Sequence, residues 1–240
     1  MKICILGATG KAGERLVKGA LDQGHQVTAI VRNGGVLSAS YPAIDVREVD
    51  FSDRPQLVAA IAGHEATVNA AGHVNQDRGF TGLVSQIVDA AAEALGQDGR
   101  FWMFAGAALL DVPGTKRMTV SLPKIPSVYQ LHAINYETVR RSRLDWSVLC
   151  PGPMVEAPDG RPHEGLVIST ETWPVPLPAY TRVLPWIATS LAFRNALGRM
   201  TITYEDAAKV ILDNLAAGRL SRCRVGVALP DGMTLSKPGY

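Results

Sequence analysis

Two periodicities alternate along the first part of this chain. Lys2–Leu6, Gln26–Val31, Ile44–Val49, Glu65–Ala71, Phe101–Ala105 and Trp146–Cys150 are short apolar-rich runs flanked by Gly, Pro, Asp or Asn. Runs of that length and composition read as strands of a sheet. Between them, Lys11–Gln23, Pro55–Ala62, Phe80–Leu95 and Val128–Ser142 carry helical spacing. In Phe80–Leu95 the apolar positions are Leu83, Ile87, Val88, Ala91 and Leu95, which form one helix face. Strands alternating with helices predict an α/β fold, a Rossmann-type doubly wound parallel sheet with right-handed crossovers.

After Pro151 the rhythm changes. Pro151, Pro153, Pro158, Pro162, Pro174, Pro176, Pro178 and Pro185 crowd one stretch. Proline removes a backbone donor and fixes φ, so this density argues against long helices and central strands. The expectation is a small irregular lobe with short elements around Leu166–Ser169 and Thr189–Leu197 and a strand over Arg199–Thr203. Tyr204–Leu215 is an amphipathic helix and Cys223–Leu229 a last strand. The predicted division is a cofactor-binding core over 1–153, a C-terminal substrate lobe over 154–203, and a closing helix and strand over 204–240 that return to the core.

Composition narrows the function classes. With 240 residues, 47% hydrophobic and 19% charged, the chain can bury a sizeable core. A net charge of +2 gives no reason to expect a nucleic-acid partner. The first apolar run ends in a glycine turn without a cleavage-site pattern, so it does not read as a signal peptide. No stretch approaches the roughly 18 apolar residues of a membrane span; Val183–Phe193 is the nearest. Cys4, Cys150 and Cys223 are odd in number and far apart, which suits neither a zinc site nor a disulfide framework. The expectation is a cytoplasmic protein with no metal, acting on a small molecule, with a homodimer left open.

The first strand runs into Gly7-Ala8-Thr9-Gly10-Lys11-Ala12-Gly13 and then a helical pattern. In this strand–turn–helix context the glycines have separate uses: Gly7 turns the chain, Gly10 admits a pyrophosphate, and Gly13 lets the helix pack close to the sheet. The helix start then offers N–H groups and a positive dipole end to the phosphates. NAD-specific sites usually carry an acid at the end of the second strand. Here the residues are Val31-Arg32-Asn33, and Arg32 suits a 2′-phosphate, with Lys11 as a second positive charge. NADP is therefore expected over NAD, with a solvated Arg32 and a site that takes either cofactor as the alternative. Asp50 and Phe51 are candidates for the adenine edge and face. Ala70, Ala71 and Gly72 leave room for the cofactor backbone, and Pro151 borders the same path.

These motifs together resemble a family. GATGKAG, the VRN after the second strand, the VDF after the third and the NAAG after the fourth are similar to atypical short-chain dehydrogenase/reductases, in the NAD(P)H-binding, NmrA-like group. VRRSRLDWSVLCPGP over Val139–Pro153 resembles that group's LRASGLDWTILRPG signature. The similarity covers 1–153 and the helix at Tyr204–Leu215, and looks nearest to biliverdin/flavin reductase-like proteins. It implies hydride transfer from NADPH to a small apolar or planar acceptor such as a flavin, quinone or carbonyl compound. Other members of the group bind the cofactor and regulate partners, so a non-catalytic NADP(H) sensor stays open. Sugar-nucleotide epimerase or dehydratase chemistry fits less well.

Ordinary members of the wider family use a Ser after the fifth strand and a Tyr-x-x-x-Lys on the next helix. This chain has Gly106-Ala107-Ala108 after that strand, Val128 in the Tyr slot and His132 in the Lys slot. Tyr136-Glu-Thr-Val-Arg140 lies about two turns too late. Tyr129, His132 and Tyr136 are nevertheless spaced to share one helix face, with Asn135 at its edge. These three are the candidate catalytic residues. His132, with an unperturbed pKa of about 6.5, is the best proton donor among them. Three roles stay open: His132 donates a proton, His132 holds the cofactor ribose while the tyrosines line the pocket, or the acceptor takes its proton from solvent.

Other residues carry weaker signals. His25, His64, His73 and His163 lack metal-ligand spacing, and His73 follows the fourth strand closely enough to face the cofactor. Asp111, Lys116 and Lys124 lie in the loop after the fifth strand, where one of them could touch substrate. Trp173, Tyr180, Trp186, Leu191 and Phe193 supply either an aromatic substrate pocket, the lobe's own core or a subunit interface.

Overall fold

The computed structural model describes residues 1–33, 35–72, 78–178 and 186–237. The chain order is β1 (Lys2–Leu6), α1 (Lys11–Asp22), β2 (Gln26–Val31), α2 (Gly35–Ser40), β3 (Asp45–Glu48), α3 (Arg54–Ile61), β4 (Ala66–Asn69), α4 (Arg78–Leu95), β5 (Arg100–Phe104), α5 (Gln130–Arg140) and β6 (Asp145–Cys150). Then come β7 (Met154–Val155), β8 (Val167–Thr170), α6 (Trp186–Met200), β9 (Ile202–Thr203), α7 (Tyr204–Leu212) and β10 (Cys223–Ala228).

Eight of these strands form one sheet in the order β3-β2-β1-β4-β5-β6-β10-β8. All its pairings are parallel except β10–β8. Each core strand is buried on both faces, which is why it reads as a continuous apolar run. In β1, Ile3 and Ile5 enter the core beneath α1 and α7, while Cys4 and Leu6 enter the core beneath α3, α4 and α5. The strand order reverses between β1 and β4, and the crevice beyond the carboxyl ends of these two strands is where doubly wound sheets bind ligands.

The described elements depart from the sequence expectation in several places, among them α2, which lies where no helix was expected. Val167–Thr170 joins the main sheet as an antiparallel edge strand, with Val225 opposite Thr170. The residues that were expected to form only short pieces include α6, a fifteen-residue helix. It starts just past Pro185, where the prolines stop. Only Ile202–Thr203 of the expected strand at Arg199–Thr203 is extended, and it pairs with Met154–Val155. The helix expected over Val128–Ser142 begins with a 3-10 turn at Ser127–Tyr129, so Tyr129 precedes α5.

The closing helix α7 has a reciprocal cap. Thr203 Oγ1 accepts the Asp206 N–H at 3.0 Å, and Asp206 Oδ2 accepts the Thr203 N–H at 2.8 Å. Asp206 is fully buried and also accepts from the His163 backbone and ring. The start of α7 thus fastens the segment after β7. No described helix is long and apolar enough to cross a membrane.

Candidate functional site

The glycine loop leaves β1 at the crevice. Gly7 has φ +75°, and a Cβ there would sit 2.7 Å from the Ala71 backbone after β4. A Cβ on Gly13 would strike the Gly7 carbonyl oxygen and come within 2.7 Å of Ala8 Cα. Glycine is therefore required at both positions by geometry. Gly10 is the N-cap of α1 and makes no side-chain cap. Thr9, Gly10 and Lys11 are exposed, Ala12 is half-buried, and Ala8 is buried beneath them. The first N–H groups of α1 lack intrahelical acceptors, so they remain available to an anion. This cradle, with no Cβ to fill it, fits a dinucleotide pyrophosphate; Gly7–Gly13 would hold it through backbone N–H groups.

Opposite the loop, Asn69 is buried and its Oδ1 accepts the Ala71 N–H at 2.9 Å. Ala70 and Ala71 are half-buried and Gly72 is exposed, with φ +96° and the Phe80 ring where a Cβ would go. Pro151 is buried, and its carbonyl accepts the Ala107 N–H at 2.7 Å, tying the ends of β5 and β6 together. His73 lies outside the described residues.

Arg32 follows β2 and is exposed; among the described residues no carboxylate pairs with it. Lys11 points elsewhere: its ammonium is 3.0 Å from Glu156 and 5.9 Å from the centre of the Tyr204 ring. Glu156 raises the Lys11 pKa through that hydrogen bond. Asp50 is exposed and its carboxylate is engaged by the Ser52 N–H and hydroxyl, which lower its pKa. Phe51 is 6% exposed and packs in the core with Leu57 and Val84.

The buried face of α5 carries His132, Asn135 and Val139. Asn135, expected at the edge of the face, lies at its centre and is fully buried, with neither amide atom paired to a protein group. The Nε2–Cδ2 edge of His132 faces Gly106, 3.3 Å from where a Cβ would be. Tyr129 lies nearly parallel to the His132 ring at 6.2 Å, and Phe80 meets it edge-on at 5.7 Å. Tyr136 is not part of this group. Its ring packs against Trp146 at 5.7 Å and under the Arg224 guanidinium at 5.2 Å, and burial raises its pKa.

Arg224 is a buried cation that the motif reading missed, although a charge inside the apolar run of β10 is a visible sequence signal. It donates to both Asp111 carboxylate oxygens at 3.1 and 3.0 Å, to Glu171 and to the Leu109 carbonyl. Burial opposes its charge, but its hydrogen bonds to the Asp111 and Glu171 carboxylates outweigh this and raise its pKa. Asp111, a candidate for touching substrate, is thus held in a buried ion pair. Phe80 was also missed; nothing in its local pattern marks it as a neighbour of His132.

The aromatic supply of the C-terminal lobe also goes inward. Trp173 is 4% exposed, donates to Thr119 Oγ1 at 2.6 Å and packs against Phe193 at 5.1 Å. Leu191 is 54% exposed. Tyr180 and the Trp186 side chain lie outside what is described.

Comparison with known proteins agrees with this geometry. A family model described as NAD(P)H-binding matches residues 7–171. The uncharacterized protein YwnB of Bacillus subtilis (strain 168) is 33% identical over 165 residues, 63% of this chain and 71% of that protein. Among solved structures, SP1627 of Streptococcus pneumoniae TIGR4, named for an inferred NADH-flavin reductase activity, superposes with a TM-score of 0.69 at 22% identity, covering 96% of this chain and 100% of that one. A short-chain dehydrogenase/reductase of Veillonella parvula DSM 2008 in complex with NADP gives a TM-score of 0.69 at 17% identity, covering 100% and 99%. The glycine cradle at the β1–β4 crevice and the family match lead to one conclusion: this chain belongs to the NAD(P)H-binding family, on a Rossmann-like fold.

Proposed function

We propose that this protein is an NADPH-dependent oxidoreductase that passes a hydride to a small apolar or planar acceptor, a flavin, quinone or carbonyl compound. The observation that carries the reading is the placement of His132. Its Nε2 edge faces Gly106 at the carboxyl end of β5, beside the crevice that holds the glycine loop. The name of SP1627 supports the flavin member of the acceptor class.

When bound, NADPH would supply the hydride. The backbone of Gly7–Gly13 would hold the pyrophosphate, and Arg32 would attract the 2′-phosphate. Tyr129 and Phe80 fix the plane of the His132 ring. With a carbonyl acceptor, His132 Nε2 would give a proton to the carbonyl oxygen. With a flavin or quinone the proton comes from solvent, and the protein's part is orientation. A small hydrophobic molecule is the only partner this chemistry needs.

The test is oxidation of NADPH and of NADH against flavins, quinones, aldehydes and ketones. Turnover of one class establishes the reductase. His132→Ala should lower turnover of a carbonyl by about 10²-fold while leaving flavin turnover within a few-fold. Tight NADPH binding with no turnover of any class would replace this reading by the sensor one.

A further inference from the structure

A cavity of about 480 Å³ opens between the glycine loop and the end of β2, lined by Thr9, Glu14, Asn33, Leu37, Ser40 and Tyr41. In a doubly wound dinucleotide site the adenosine ribose and its 2′ substituent lie between these same two elements. The single charged residue among those six is an acid. Arg32 stands beside this cavity, next to Asn33, but does not line it.

Glu14 is not neutralised by its neighbours one for one. Its Oε2 is 3.0 Å from Arg15, but Arg15 also bonds Glu156 at 2.5 Å and Glu205 at 3.0 Å. Lys11 also spends its charge on Glu156. In this cluster two cations, Lys11 and Arg15, face three carboxylates, Glu14, Glu156 and Glu205. One negative charge is left in excess across the cluster, and Glu14 is the carboxylate of the three that lines the cavity.

We infer that Glu14 is a specificity-determining residue that opposes the 2′-phosphate attracted by Arg32, so that the site keeps usable affinity for NADH. A 2′-phosphate carries a charge of −1.5 to −2 near neutral pH, and a carboxylate in the same water-filled cavity repels it. A ribose 2′-hydroxyl can instead donate to that carboxylate. The inference rests on the cofactor reading above and extends it to a residue outside the usual strand-end position.

The test uses 2′,5′-ADP and 5′-AMP, which differ only in the 2′-phosphate, with NADPH and NADH as the full-length pair. Dissociation constants are measured by calorimetry on the wild type, Glu14→Gln and Glu156→Gln. Glu14→Gln should tighten 2′,5′-ADP and NADPH by about five- to tenfold at low salt, with 5′-AMP and NADH no tighter than before. The gain should shrink as salt rises. Glu156→Gln, which removes a carboxylate outside the cavity, should change the ratio by less. An unchanged ratio of the 2′,5′-ADP and 5′-AMP affinities in Glu14→Gln would overturn the inference while leaving the cofactor reading intact. A wild type that binds none of the four ligands would overturn both.

Discussion

Replacing Arg224 with Met tests how the buried ion pair between β10 and Asp111 is held. The guanidinium is 7% exposed and bonds Asp111 through two parallel contacts, with Glu171 and the Leu109 carbonyl completing its donors. Methionine fills much of the volume and removes the charge. Asp111, whose side chain is 13% exposed, is then left as a buried carboxylate without its partner, and breaking a pair in this way costs about 3–5 kcal/mol. Glu171 is 40% exposed and can turn to water, so its loss adds little. The expected destabilisation is about 3–4 kcal/mol, a large part of the roughly 5–15 kcal/mol that holds a typical domain. Urea denaturation at neutral pH measures it through the midpoint at constant slope. Adding Asp111→Asn to Arg224→Met should recover about half of the loss, because no buried charge remains. A single variant within about 1 kcal/mol of wild type, or a double variant as unstable as the two single changes summed, would refute this account.

Four further outcomes follow from particular contacts. Gly13→Ala should abolish measurable NADPH binding by calorimetry, since its Cβ meets backbone that cannot retreat. Gly106→Ala should push the His132 ring by a few tenths of an ångström, lowering kcat for a carbonyl several-fold while Tm moves by less than about 4 °C. His64, buried against Thr28 Oγ1 and the Ile61 carbonyl, has its pKa lowered from 6.5 chiefly by burial. The unfolded chain therefore takes up a proton that the fold resists, so stability should fall as pH drops below 6.5, and His64→Asn should flatten that part of a urea-midpoint profile. Burial pushes the Cys4 thiol up to about 12 and the Cys223 thiol up to about 11, and raises that of Cys150 as well. Native protein should then leave all three cysteines unlabelled by a thiol reagent at pH 8, and labelling should follow unfolding.

The order of strands and helices and the glycine cradle were legible because each rests on local chemistry. β1 is apolar on both faces, and Gly7 and Gly13 are glycines because backbone occupies the space of a Cβ. The lobe was misread where a composition average hid a boundary: the prolines end at Pro185, and α6 begins there. The direction of β8 could not be read, since an antiparallel edge strand and a parallel one share the same alternation. Arg224 and Asp111 meet across the fold, so their pairing could not be read from either residue alone, although a charge within the apolar run of β10 was itself visible.

The face of α5 shows how far periodicity reaches. Residues 132 and 136 stand one turn apart, so spacing alone assigns them to one site. Because β5 and β6 are parallel, α5 must run back from the carboxyl ends of the strands toward their starts. Four residues along it descend about 6 Å. His132 therefore sits level with Gly106 at the rim of the crevice, whereas Tyr136 sits a turn deeper, against Trp146 near the start of β6 and beneath Arg224. If depth decides which ring reaches the acceptor, Tyr136→Phe should leave carbonyl turnover within about twofold of wild type, while His132→Ala lowers it by about 10²-fold. Equal losses in the two variants would mean that the helix presents both rings to the same reacting atoms, contrary to the depth at which each is packed.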